Sequence, residues 1–81
     1  MLKEIIKSSN KVVGTKQVIK AVENGKAKLV IIARDADDFI INKIKAVTDA
    51  HSVDVEYVDT MEQLGSMCGI QVGAASAVIL K

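Results

Sequence analysis

Residues 29–33, Leu-Val-Ile-Ile-Ala, form an unbroken apolar run with three β-branched members, and no other stretch constrains the fold as tightly. A strand with one wet face alternates apolar and polar residues. A run without alternation is what a central strand covered on both faces requires. In a chain of 81 residues there is room for one core, so the cover has to come from the flanking segments.

Those segments carry helical and strand patterns in alternation. Leu2, Ile5 and Ile6 fall at helical spacing, with Lys3, Glu4 and Lys7 on the opposite side. Lys11-Val12-Val13 reads as a brief strand and Gly14-Thr15 as a turn, with Thr15 placed to cap a helix. That helix has Val18, Ile19 and Val22 as its buried stripe and stops at Asn24-Gly25. After the central run, Asp35, Asp37 and Asp38 crowd a helix start, where negative charge complements the dipole, and Ile40, Ile41, Ile44 and Val47 continue at helical spacing. Val53, Val55 and Tyr57 alternate with Asp54 and Glu56, the pattern of a half-exposed or edge strand. Thr60 to Gln63 fits a capping box in which Gln63 reaches back to the Thr60 backbone. The short helix that follows buries Met61, Leu64 and Met67 or Cys68 and ends at Gly69, Ile70 to Ala74 is a loop, and Ser76 to Leu80 is a last strand. The expectation is one α/β domain over residues 1–81, a three-layer α/β/α sandwich with a mixed sheet of about four strands.

Composition narrows the class. Apolar residues are 49% of the chain and aromatics 2%, so the core is aliphatic. The single cysteine, Cys68, cannot form an internal disulfide and points to a reducing compartment. Charged residues interrupt the first apolar positions, and no stretch approaches the roughly 20 apolar residues of a membrane span. A cytoplasmic monomer with no membrane partner is expected.

Catalysis finds little support. His51 and Cys68 are the only histidine and cysteine, too few for a zinc site. His51 suits a helix C-terminus and Cys68 a core position. The acidic trio offers magnesium-like chemistry but also plain helix capping, and GTKQ lacks the glycine spacing of a nucleotide-binding loop. The chain is expected to be no enzyme, with no cofactor, metal or small-molecule substrate.

Charge is where the sequence speaks for a partner. Residues 1–34 carry seven lysines and Arg34 against Glu4 and Glu23, a net of +6, whereas residues 35–81 sum to −5. A basic pole suits a polyanion, because counterions released there favour binding. Within it, Gly14 to Lys20 reads as a glycine-led helix start whose amides can hold a phosphate. Lys16 and Lys20 lie on one side, away from the Val18–Val22 stripe, and Gln17 can donate to and accept from a base edge. An ordinary capped helix with two solvated lysines explains the same residues equally well. Likewise Ile70 and Val72 either plug the rim of the core or form an apolar platform for an unstacked base.

The blocks GTKQVIKAVENGKAKLVIIARDAD, from Gly14, and LGSMCGIQVGAASAVIL, from Leu64, together resemble the kink-turn RNA-binding ribosomal proteins. This is the superfamily of ribosomal proteins L-seven-Ae and L-thirty-e, here closest to its small bacterial YbxF-type branch. The resemblance implies a sandwich that binds a sharply bent RNA with tandem sheared G·A pairs, in ribosomal or riboswitch RNA. It assigns RNA contacts to Gly14, Thr15, Lys16, Gln17 and Lys20 at the helix start. It also assigns them to Ile70, Gln71, Val72, Gly73 and Ala74 in the loop before the last strand, with Arg34 close to the same side. Archaeal and eukaryotic members usually have Asn-Glu where this chain has Lys16-Gln17, so phosphate contacts should weigh more here. The alternative is a protein–protein interaction subunit of a ribonucleoprotein, with the acidic half meeting a basic partner.

Overall fold

The computed structural model describes Glu4, Ile6 and residues 10–81. The expected amphipathic N-terminal helix falls mostly outside the described residues; Glu4 and Ile6 are helical, Glu4 exposed and Ile6 fully buried. The elements that follow are β1 (Lys11–Val13), α1 (Thr15–Glu23), β2 (Ala27–Ala33), α2 (Asp38–Ala50), β3 (Asp54–Val58), α3 (Met61–Met67) and β4 (Ser76–Leu80).

The strands form one mixed sheet in the order β1-β4-β2-β3. β4 is antiparallel to both β1 and β2, while β3 is parallel to β2. The apolar run of β2 is therefore interior, and residues 30–33 are fully buried. Side chains alternate across a strand, and the two halves of the run serve different cores. Ile31 and Ala33 pack with Ile6, Val58, Leu64, Ala77 and Ile79 on one face. Val30 and Ile32 pack with Val18, Ala21, Val22, Ile44 and Val78 on the other. Burying each of Ile31, Ile32, Ile44 and Leu64 contributes roughly 1.5–3 kcal/mol.

The three layers follow. α1 and α2 cover one face, with their Val18, Val22 and Ile44 in the same core; α3 covers the other through Leu64. In α1 the buried stripe is Val18, Ala21 and Val22, with Ile19 only half-buried. The stop at Asn24 and Gly25 is as expected, with Gly25 at φ 71°. β3 is an edge strand and half-exposed, as its alternation allows, with Asp54 and Glu56 exposed.

Two details of helix capping differ from expectation. Asp37 caps α2, its carboxylate accepting from the Phe39 N–H at 2.8 Å, and Asp38 lies in the first turn. Asp35 instead crosses to the other layer and accepts from the Met61 N–H at 2.7 Å, holding the start of α3. At α3 the Thr60 hydroxyl accepts from the Gln63 N–H at 3.0 Å, but the Gln63 side chain accepts from the Asp59 N–H at 3.3 Å rather than from Thr60. The chain bends at Asp59, and it is the Asp59 amide that the Gln63 side chain meets there.

Candidate nucleic-acid interface

The start of α1 is built on Gly14, whose φ of 114° and ψ of 142° belong to glycine. Its N–H donates to the Ser76 carbonyl at 3.1 Å, carrying the β1–β4 ladder one residue past Val13. Its carbonyl accepts from the Val18 N–H at 2.9 Å, the first bond of the helix. The cap position is thus Gly14, not Thr15 as the sequence suggests: an N-cap needs non-helical backbone, and Thr15 is already helical. Among the described residues no side chain caps this end, and its first turn holds no acidic residue. The opening amides of a helix have no acceptor within the helix itself.

Lys16, Gln17 and Lys20 are all exposed. They do not form one row. Lys16 and Lys20 border a groove towards α2, shared with Thr15, Ile19, Glu23 and Lys43. Gln17 lies on the opposite flank with Val12, Asn24 and Leu80, and Lys20 borders both sides. Lys43 was not singled out by the sequence, because its approach to α1 depends on how two helices pack.

The loop before β4 is held flat against α3. The Ile70 N–H donates to the Gly65 carbonyl at 3.0 Å, and the Ala74 N–H to that of Met61 at 3.0 Å. Gly65 makes this possible, since a Cβ there would overlap the Val72 carbonyl. At Gly73 a Cβ would lie 3.2 Å from the Met61 Cβ. The loop's backbone is fixed while its side chains face outward. Val72 is 69% exposed and Ile70 36%, with Gln71 and Gly73 also exposed. Val72 is no rim plug. Ala74 is the exception among the five, buried to 4% and packed in the α3-side core, so it anchors the loop and offers no side-chain surface.

The sheet brings these parts to one edge. The Gly14–Ser76 bond joins the α1 start to the start of β4, and the Ala33 N–H donates to the Ala75 carbonyl at 2.9 Å. Arg34 leaves β2 at this same edge, two strand spacings from Gly14, or about 10 Å. Its side chain turns away from α1: the guanidinium stands 5.0 Å from the Tyr57 ring centre and 4.0 Å from the Asp59 carboxylate. Both partners of that ion pair are largely exposed, so it holds Arg34 loosely. Ser76 is fully buried and its hydroxyl has no partner among the described residues. It shares a sheet face with Val78, the face that α1 covers.

The groups considered for catalysis sit apart. His51 is the C-cap of α2. Cys68 is half-buried beside the α3-side core, where burial pushes its thiol up and the charge of Lys11 partly opposes the shift. Asp35 and Asp37 serve different helices, and among the described residues no three His, Cys, Asp or Glu are grouped as a metal ion needs. No described helix is long and apolar enough to cross a membrane.

Comparison with known proteins agrees with this architecture. The model of the Ribosomal protein L7Ae/L30e/S12e/Gadd45 family matches residues 1–81. An RNA-binding protein of Caldanaerobacter subterraneus subsp. tengcongensis is 49% identical over 67 residues, 83% of this chain and 82% of the relative. RNA-binding protein YbxF of Geobacillus stearothermophilus is 45% identical over 78 residues, 96% of this chain and 95% of the relative. Among solved structures, the Giardia lamblia 15.5kD RNA binding protein superposes with a TM-score of 0.86 at 30% identity, covering 98% of this chain and 67% of that one. With a mixed sheet between two helical layers and a family match along its whole length, this chain belongs to the Ribosomal protein L7Ae/L30e/S12e/Gadd45 family.

Proposed function

We propose that this protein is a non-catalytic RNA-binding protein that recognises and stabilises kink-turn RNA, in a ribosomal or riboswitch setting. The observation that carries the reading is the uncapped, glycine-led start of α1, flanked by exposed Lys16, Gln17 and Lys20 and tied through Ser76 to the exposed Ile70–Gly73 loop. Relatives named as RNA-binding proteins support it.

Each part has a task. The free amides of α1 and the two lysines hold backbone phosphate. Gln17 offers both a donor and an acceptor to a guanine edge of a sheared G·A pair. Ile70 and Val72 meet an unstacked base, which a sharp kink exposes. The outcome is a population shift: a protein that fits only the bent RNA stabilises that state by its differential affinity.

Titration with a kink-turn RNA, and with the same RNA carrying broken G·A pairs, tests the reading. The intact motif should bind at least about tenfold tighter, the scale of one good base contact. Lys20→Ala should weaken binding to the intact motif several-fold with unchanged melting temperature, as loss of one exposed phosphate contact implies. Equal affinity for the two RNAs would sink the proposal.

A further inference from the structure

Phe39 is the only phenylalanine of the chain and is 73% exposed, in the first turn of α2. A large aromatic left in water forgoes the burial that would stabilise the fold, and its surroundings give it a use. β1 and β2 run in the same direction, both antiparallel to β4. α1 and α2 each leave the same end of the sheet and return along the same face. They are therefore parallel neighbours with their N-termini side by side. Phe39 and Lys43 are four residues apart and adjacent on the α2 surface. Lys16 and Lys20 form the matching pair on α1. Between the helices lies a groove of about 570 Å³, lined by Thr15, Lys16, Ile19, Lys20, Glu23 and Lys43.

We propose that this groove is a second RNA subsite, which takes a single-stranded stretch running off the kink, with Lys43 holding a phosphate and Phe39, one helical turn from Lys43 and outside the groove's lining, stacking a base beside it. The inference rests on the kink-turn reading for what occupies the α1 start. Charge selects the occupant: three lysines line the groove against one carboxylate, Glu23, the last residue of α1. The groove is thus basic at the end that adjoins Gly14 and acidic where it closes. The lysines sit one helical turn apart along α1, at 16 and 20, with Lys43 across from them on α2. Lysines that follow a backbone, beside an aromatic that accepts any base, are the means by which proteins hold unpaired nucleic acid. The α2 N-terminus itself plays no part, since Asp37 caps it and Asp38 makes it acidic.

Fluorescence anisotropy with a bare kink-turn RNA, and with the same RNA carrying a six-uridine tail on each strand end in turn, tests the subsite. One tailed RNA should bind about tenfold tighter than the bare motif, near the lower end of what a stacked base contributes. Phe39→Ala and Lys43→Ala should each remove that gain and leave the bare motif's affinity unchanged. Lys43→Ala should also flatten the log–log salt dependence for the tailed RNA by about 0.7, one single-strand phosphate contact. Both side chains are exposed, so neither substitution touches the core. The subsite is overturned if no tail raises affinity, or if the gain survives both substitutions. Should the protein ignore broken G·A pairs yet bind tailed RNA through Phe39 and Lys43, the kink-turn reading falls and the subsite stands.

Discussion

Gly14 and Gly65 are both needed for the proposed interface, for different physical reasons. At Gly14 nothing lies within 4 Å of where a Cβ would be, so the constraint is its φ of 114° alone. At Gly65 the backbone is ordinary helix and the constraint is contact, since a Cβ would overlap the Val72 carbonyl. Gly14→Ala should therefore cost roughly 1–3 kcal/mol of stability, the scale of a residue forced into a glycine-only conformation, and urea denaturation would measure it. A loss under about 0.5 kcal/mol would mean the backbone relaxes there at little cost. The sequence reveals these two glycines unequally. Gly14 is visible as a turn between a short strand and a helical stripe, although the local pattern hands the cap to Thr15. Gly65 sits inside a helix and looks like a weak helix former, because the loop it admits is a tertiary contact. The same gap hides Lys43, while Lys16, Gln17 and Lys20 are legible because one helix and its buried stripe already place them outside.

α3 has only seven residues, too few to hold a helix without help. Its help comes from three side chains, and only part of it is local. The Thr60 hydroxyl on the Gln63 N–H is what a capping box predicts, and the Gln63 side chain on the Asp59 N–H is that box displaced by one residue. Asp35 reaches the Met61 N–H from 26 positions away, which no local pattern encodes. In the sequence this carboxylate looks like part of the α2 start or a magnesium ligand. As a cap, it needs an acceptor oxygen and not a charge. Asp35→Asn should then keep stability within about 0.5 kcal/mol, while Asp35→Ala should lose about 1 kcal/mol, the usual value of an N-cap acceptor. Thermal unfolding of the two variants separates the roles: if Asn lost as much as Ala, the carboxylate charge would be what matters. The loop that carries Ile70 and Val72 is bonded to α3 at Gly65 and Met61, so the order of this short helix sets the order of the apolar platform.

Across the whole molecule, part of the split between basic and acidic halves of the chain becomes a split in space. The sheet order β1-β4-β2-β3 puts Lys11 on one outer strand and exposed Asp54 and Glu56 on the other. Lys16 and Lys20 lie on α1, which continues from β1. The alternating patterns and the apolar run of β2 were enough to anticipate the layers, since both are properties of consecutive residues. Strand order is not, and it is strand order that sets Lys11 and the carboxylates of Asp54 and Glu56 on opposite edges of the sheet. A polyanion approaching the α1 side meets lysines, while the β3 edge repels it and so favours one orientation. Binding that leans on Lys16 and Lys20 for phosphate, with Lys43 added when the groove is filled, should release two to three counterions' worth of charge. The log–log salt slope should then be about −1.8 to −2.5, so that affinity falls about 12- to 32-fold between 50 and 200 mM salt. Replacing Lys16-Gln17 by Asn-Glu, the usual pair of archaeal and eukaryotic members, removes one of those charges and supplies directed hydrogen bonds in its place. The double variant should show a shallower slope and a larger penalty for broken G·A pairs, both read from the same titrations. A wild-type affinity that changed less than about twofold over that range would mean that phosphate contacts carry little of the binding. The weight would then rest on Gln17 and on the apolar surface of Ile70 and Val72.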